Sequence, residues 1–249
     1  MPAAPARRTL TRNRMGWSSA QLSPLSLQFV GFARTRPGPV LDIGAGYGAA
    51  ALAALEAGAE VIAVDLDPAH LETLSRRAPP GAKLTARVAR FPRDLHFEPG
   101  AIAAVHAAGV FHFLTGNQIS RGLREIARWL APGGKVFIQA ATPYQAPFAR
   151  FLGEYECRVR AGVRWPGWME RVSRWCAHRQ VGQMPRSVHL LDDAVLRRAA
   201  GEAGLAVERA ELVPRPDLPA GLRLDGREAV VLVASVAELQ PELHHARQV

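Results

Sequence analysis

Apolar residues in this chain fall into short blocks separated by glycine and proline. After the breaker "RPGP" (36–39), "VLDIG" (40–44) reads as a short buried strand, and 49–57 as an alanine-rich helix stopped at Gly58. "AEVIAVDLD" (59–67) is a second strand, followed by a helix over 68–77 that Pro68 opens and "APPG" (78–81) closes. The alternation continues as a strand at 83–90, a loop at 91–100, a strand at 101–108, an amphipathic helix at 117–130, a turn "APGG" (131–134) and a strand at 135–141. Repeated β-α-β order implies an α/β fold in which a parallel sheet is covered by helices on both faces.

The period is lost from Thr142 to Val188, a stretch that carries three of the five tryptophans and many arginines. Regular spacing resumes with "LLDDAVLRRAAGEAG" (190–204), a helix opened by acids as suits its positive end, then strands at 205–213 and 227–236 joined by a long loop. Upstream, "SPLSLQFVGFAR" (23–34) is a proline-started helix bearing Leu25, Leu27, Phe29, Val30 and Phe32. These readings give a single domain over 1–249 with an N-terminal helical lid at 1–36, a cap insert at 143–188 and a frayed tail at 237–249.

Composition changes this picture little. The net charge of +9 invites a nucleic-acid partner, yet only Lys83 and Lys135 among the 31 basic residues are lysines, the bias of GC-rich bacterial coding. The arginine-bearing, acid-free first 41 residues admit an organellar transit peptide as a second reading, but their apolar spacing favours packing on the domain. The alanine-rich run 49–66 is interrupted by Glu56 and Asp65, so no membrane span is expected. Cys157 and Cys176 form no metal or disulfide pattern, and a cytoplasmic location is expected.

The chemistry concentrates in "GAGYG" (44–48). Gly44, Gly46 and Gly48 between a strand and a helix let backbone approach a ligand and aim helix N–H groups at it. With Ala49 as a third small residue the turn also suits a dinucleotide, and Asp65 at the end of the next strand suits ribose hydroxyls in either case. Asp42 ahead of the glycines favours a cationic ligand.

The order "LDIGAGYG", "AVDLDP", "VFHFL", "REIARWLAPGGKVFI" resembles the class I S-adenosylmethionine (SAM) dependent methyltransferases across residues 38–141, with a weaker echo at 190–236. The resemblance implies a Rossmann-like, doubly wound seven-stranded sheet of order 3-2-1-4-5-7-6 with strand 7 antiparallel. It implies SAM as cofactor and S-adenosylhomocysteine as product. Asp42, Gly44, Ala45, Gly46 and Gly48 would face the methionine part, Asp65 the ribose and Leu66 the adenine, with Phe91 and Ala108 completing the site. Phe91 stands where the family often has an acid, which leaves stacking or backbone contacts for adenine.

His112, just past the fourth strand, is a candidate general base or a packing residue under the cofactor loop. Tyr144, nearest the fifth strand's end, is the first choice for contact with the acceptor. Tyr155, Trp165, Trp168 and Trp175 would shield the reaction or merely form a cap core. Glu154, Glu156, His178 and His189 match no metal spacing and read as scattered surface residues; no metal is expected. "AAGV" (107–110) replaces the (N/D)PP(Y/F) tetrapeptide of base-amino methyltransferases, which argues against nucleic acid and for a small-molecule, secondary-metabolite acceptor. Alternatives are intramolecular cyclisation of SAM to azetidine-2-carboxylate with release of methylthioadenosine, an RNA methyltransferase, and a NAD-dependent oxidoreductase, the last without a Tyr-x-x-x-Lys pair.

Overall fold

In the computed structural model, which describes residues 8–10, 17–19, 21–176 and 185–237, the alternating pattern becomes one seven-stranded sheet. Its strands are β1 (Val40–Ile43), β2 (Val61–Asp65), β3 (Leu84–Val88), β4 (Ile102–Ala108), β5 (Leu130–Ala141), β6 (Ala206–Val213) and β7 (Ala229–Ser235). The order is β3-β2-β1-β4-β5-β7-β6, and β7 runs antiparallel to both neighbours, as expected. Two small antiparallel ribbons stand outside the sheet, Arg8–Leu10 with Trp17–Ser19 and Trp168–Met169 with Val188–His189. The first of these is an addition to the helix expected at 23–34. The expected tail lies, beyond Ala237, outside the described residues, as does His178.

Six α-helices are described: α1 (Pro24–Ala33), α2 (Ala49–Glu56), α3 (Pro68–Arg77), α4 (Gly116–Trp129), α5 (Leu152–Arg160) and α6 (Asp193–Glu202). One apolar cluster joins α1, α2 and α3 to one face of the sheet, and a larger one joins α4 and α6 to the other. Ser23 caps α1, and Leu25, Phe29 and Ala33 recur every four residues and are fully buried, while Leu27 is 57% exposed. Burying two large apolar side chains contributes roughly 3–6 kcal/mol, which holds a ten-residue helix that would be marginal alone. Helix α4 begins at a capping box between Thr115 and Gln118 and buries Ile119, Leu123, Ile126 and Trp129.

Two elements differ from the sequence reading. The "APGG" turn does not precede β5 but lies within it: Ile102 pairs with Leu130 and Ala104 with Lys135, so residues 131–134 bulge against Ala103 alone. Gly134 is needed there because a Cβ would meet the Ala131 and Ala103 carbonyl oxygens at 2.7 and 3.0 Å. Helix α5 was not expected at all; it buries only Tyr155, so it shows no apolar stripe.

Between β5 and α6, Phe148, Phe151, Tyr155, Met169, Val172, Cys176, Val188 and Leu190 make a third, separate apolar cluster. The Tyr155 phenol donates to Asp192, whose carboxylate also caps α6 through Val195 N–H at 2.7 Å. The loop before β7 is gathered by Glu228, 1% exposed, which accepts from the backbone N–H groups of Arg215, Leu224, Asp225 and Gly226 at 2.9–3.2 Å.

The "WPGW" turn is pressed on the strand that precedes α6. Gly167 C=O accepts from Leu190 N–H at 2.9 Å, and a Cβ on Gly167 would lie 1.7 Å from the Leu190 oxygen. Backbone cannot yield as a side-chain tip can, so Gly167→Ala should destabilise the protein by about 1–3 kcal/mol. Gly201→Ala, in α6 with open space around it, should instead stabilise by about 0.5–1 kcal/mol. Chemical denaturation of the two variants beside the parent checks both signs.

Candidate active site

The carboxyl ends of β1, β2 and β4 meet at the glycine turn. Gly44, Gly46 and Gly48 have φ of +70°, +54° and +85°, a region where a side chain is strained. Packing adds to the need for glycine: a Cβ on Gly44 would meet Val110 Cγ2 at 2.3 Å, and one on Gly48 would meet Leu74 Cδ1 at 2.4 Å. The turn is therefore wedged between the segment after β4 and helix α3. Gly44 and Ala45 N–H groups both donate to Val64 C=O, at 2.8 and 3.0 Å, which extends the β1–β2 pairing into the turn. Helix α2 follows with Gly48 at its N-cap and no side-chain cap.

Asp65 ends β2 directly opposite. Its Oδ2 accepts from Gly46 N–H at 2.8 Å; its Oδ1 accepts from Asp67 N–H at 2.9 Å and faces His70 Nδ1 at 3.1 Å. A carboxylate offers about four acceptor positions, so three are engaged and a bidentate contact to a ribose would displace one of them. Tyr47 packs edge-on to His70, and Leu66 beside Asp65 is 42% exposed, an apolar surface at the mouth of the site. Ala108, partly buried, closes β4 near Gly109. The donor set fits an adenosyl ligand: one carboxylate hydrogen-bonded to a glycine turn, an exposed apolar side chain next to it, and helix N–H groups beyond.

Two residues expected at the ligand are buried in contacts with the protein. Asp42 is 2% exposed, and its Oδ1 accepts from His106 Nδ1 at 2.7 Å. Phe91 is 5% exposed and packs into the larger core against Phe111, Trp129 and Gly122, where a Cβ would meet its ring at 2.5 Å. Its ring is thus core and not a stacking platform, since the helix α4 glycine opposite leaves a hole that the ring fills.

The residues expected on the acceptor side, His112 and Tyr144, lie in the segment after β4 and just beyond the end of β5. His112 Nδ1 accepts from Ala141 N–H at 3.4 Å, which leaves the hydrogen on Nε2. Burial, with the Arg215 charge adding to it, pushes the His112 pKa down to about 4. A neutral imidazole with so low a pKa is a weak base and a competent hydrogen-bond partner. Tyr144 is partly buried; the Arg227 guanidinium lies 3.7 Å from its ring centroid, and Tyr155 is edge-on at 6.2 Å. Burial raises the phenol above its ordinary value against the lowering effect of Arg227.

Sequence reasoning took His189 for a surface residue, yet it is fully buried. Its Nδ1 donates to Leu114 C=O at 3.0 Å, its ring meets Trp165 and Trp168 edge-on at 5.2 and 5.7 Å, and its Nε2 has no partner. The two tryptophans spaced three apart around a proline and a glycine were the available signal. Among the described residues no three His, Cys, Asp or Glu side chains group to hold a metal, and no helix is long and apolar enough to cross a membrane.

Comparison with known proteins gives a consistent result. Residues 40–134 match the family described as "Methyltransferase domain". An uncharacterized methyltransferase of Mycobacterium tuberculosis is 33% identical over 97 residues, which is 39% of this chain and 37% of that protein. The cypemycin N-terminal methyltransferase of a Streptomyces species is 36% identical over 120 residues, 46% of each chain. The matched segments thus span less than half the length of these curated relatives. The crystal structure of a SAM-dependent methyltransferase from Methanosarcina mazei superposes with a TM-score of 0.63 at 15% identity, over 88% of this chain and 99% of that one.

His189 makes stability pH-dependent. Burial pushes its pKa down to about 4, with the Leu114 hydrogen bond opposing, so between pH 6.5 and 4 the unfolded chain binds the proton that the folded one refuses. The contribution of this group is full above 6.5 and falls by about 3 kcal/mol as the pH drops through that window, and buried His112, pushed down to about 4 as well, adds a like amount. Urea unfolding at pH 7 and pH 4.5 should show the combined loss, and His189→Phe should remove roughly half of it; an unchanged slope in that variant assigns the dependence to other groups.

Proposed function

We propose that the protein transfers a methyl group from SAM to a small-molecule acceptor, a reading supported by the match of residues 40–134 to the family described as "Methyltransferase domain". The observation that carries this reading is Asp65 Oδ2 2.8 Å from Gly46 N–H, which sets a ribose-binding carboxylate against a glycine turn. Asp65 would take the ribose hydroxyls, Leu66 would cover the adenine, and the backbone of Gly44, Ala45, Gly46 and Gly48 would run along the methionine part, with Ala108 beside it. Asp42 contributes charge beneath the turn and not direct contact. When bound, SAM supplies an electrophilic methyl on a sulfonium centre, so the protein's task is to align an acceptor and exclude water.

Residues 143–188 and α1 form, in this reading, a cap over the carboxyl edge of the sheet, where open α/β folds bind ligands. Tyr144 and His112 face the acceptor from β5 and from the segment after β4. Neither is poised as a strong base: the phenol is held protonated and the imidazole is neutral with a low pKa. They orient the acceptor through hydrogen bonds, and an acceptor whose nucleophilic atom carries a lone pair at neutral pH, such as an amine, suits this arrangement. The cypemycin N-terminal methyltransferase, similar over 46% of this chain, is consistent with that class.

Calorimetry should show binding of S-adenosylhomocysteine and none of NAD, and Asp65→Ala should weaken it by about 1.5–3 kcal/mol, the scale of hydrogen bonds to a charged group. NAD binding without S-adenosylhomocysteine binding overturns the assignment. Incubation with SAM and a panel of small amines then separates methyl transfer, which yields S-adenosylhomocysteine, from cyclisation, which yields methylthioadenosine.

Replacing Tyr144 or Trp168 by Ala should lower turnover on any acceptor so found, with SAM affinity within about tenfold of the parent, because these residues act on orientation. Full turnover in both variants would confine residues 143–188 to packing.

A further inference from the structure

Asp42, His106 and Ser26 form a buried chain of hydrogen bonds that the site described above does not use. Asp42 and His106 are direct neighbours in the parallel β1–β4 register, and their side chains meet at 2.7 Å, Nδ1 to Oδ1. A carboxylate accepts, so Nδ1 carries the hydrogen. On the other side of the ring, Nε2 lies 3.0 Å from Ser26 Oγ of helix α1. Ser26 Oγ is in turn 3.0 Å from Ser23 Oγ, the N-cap of the same helix. Phe29, one turn along α1, stacks on the imidazole at 4.9 Å with an interplanar angle of 25°. A single helix thus supplies both the polar and the aromatic contact to one histidine.

The order serine, histidine, aspartate has the atoms of a nucleophilic triad. Here Ser26, His106 and Asp42 are 5%, 4% and 2% exposed, and Ser26 Oγ is tied into its own helix cap, so the chain is not laid out to meet a substrate carbonyl. Its aspartate end instead belongs to the strand that leads into the turn. Asp42 lies two residues before Gly44, and a carboxylate at this depth is costly to leave unpaired. Withdrawal of α1 would strip His106 of its hydroxyl and aromatic partners and open the Asp42 pair to water.

We propose that His106 and Ser26 are positioning residues for the cofactor turn, through which the docking of helix α1 fixes the Asp42 carboxylate and with it the end of β1 that leads into the glycines. It rests on the reading of the turn as the SAM site. Coupling of this kind is reciprocal: if docked α1 favours a ligand in the turn, that ligand favours docked α1 by the same factor.

The test uses S-adenosylhomocysteine with the full chain, measuring affinity by calorimetry and amide hydrogen exchange along residues 24–33. In the parent, ligand should slow exchange in α1. Ser26→Ala, a change too small to unfold the domain, should weaken binding about tenfold and abolish the ligand-induced slowing, while Ser26→Thr should restore both. The downfield imidazole proton expected for the Asp42–His106 pair should broaden in Ser26→Ala and reappear in Ser26→Thr. A merely structural serine would lower the melting temperature and leave the ligand-linked exchange unchanged. Parent-like affinity in Ser26→Ala and His106→Asn, or ligand binding without any slowing in α1, overturns the coupling and spares the cofactor reading. A parent that binds no S-adenosylhomocysteine overturns both.

Discussion

The clamp between Asp65 and the Gly46 N–H organises the whole carboxyl edge of the sheet. A turn with three residues at positive φ has no hydrophobic content of its own, and its conformation has to be imposed from outside. Three neighbours impose it: β2 through the Val64 carbonyl and the Asp65 carboxylate, the segment after β4 through Val110, and α3 through Leu74. The Val110 and Leu74 contacts are possible only because a side chain is missing at Gly44 and Gly48. The backbone of the turn is therefore held by its own neighbours, the condition that would let a ligand bind there with little ordering cost.

A separate body of apolar contacts, centred on Phe151, Tyr155 and Met169, is joined to the rest of the domain by polar links. Tyr155 to Asp192, Gln145 to the Glu228 carbonyl and Thr142 to the Arg227 carbonyl are the main ones. His189 packs edge-on to Trp165 and Trp168, and its Nε2 is, with Trp129 Nε1, one of two buried side-chain nitrogens without a partner among the described residues.

The strands, the glycine turn and Asp65 were legible because each depends on local rules: alternation of element types, φ > 0 at glycine and an acid at a strand end. Helix α5 was not, since its one buried residue leaves no period to detect. The bulge at 131–134 was read as a turn because proline and two glycines signal a reversal whether or not the flanking backbone keeps pairing. The placements of Asp42, Phe91 and His189 depend on residues 30 or more positions away, His106, Gly122 and Leu114 among them. Nothing in their neighbouring sequence announces such partners. His106 is the sharpest example: in "AAVHAA" it reads as a polar lapse in a buried strand, and only the register with Asp42 and the docking of α1 give it a purpose.

The placement of β7 has a consequence for how the chain is made. Strand β5 pairs in parallel with β4 on one side and antiparallel with β7 on the other, and its second partner is encoded far downstream, after α5, α6 and β6. As the chain leaves the ribosome, the almost wholly buried run from Val136 to Ala140 therefore waits with one ladder of N–H and C=O groups open. A strand of this kind invites pairing with a neighbouring nascent chain, and it is the segment where a chaperone or a slowed passage of the ribosome would most improve the yield of folded protein.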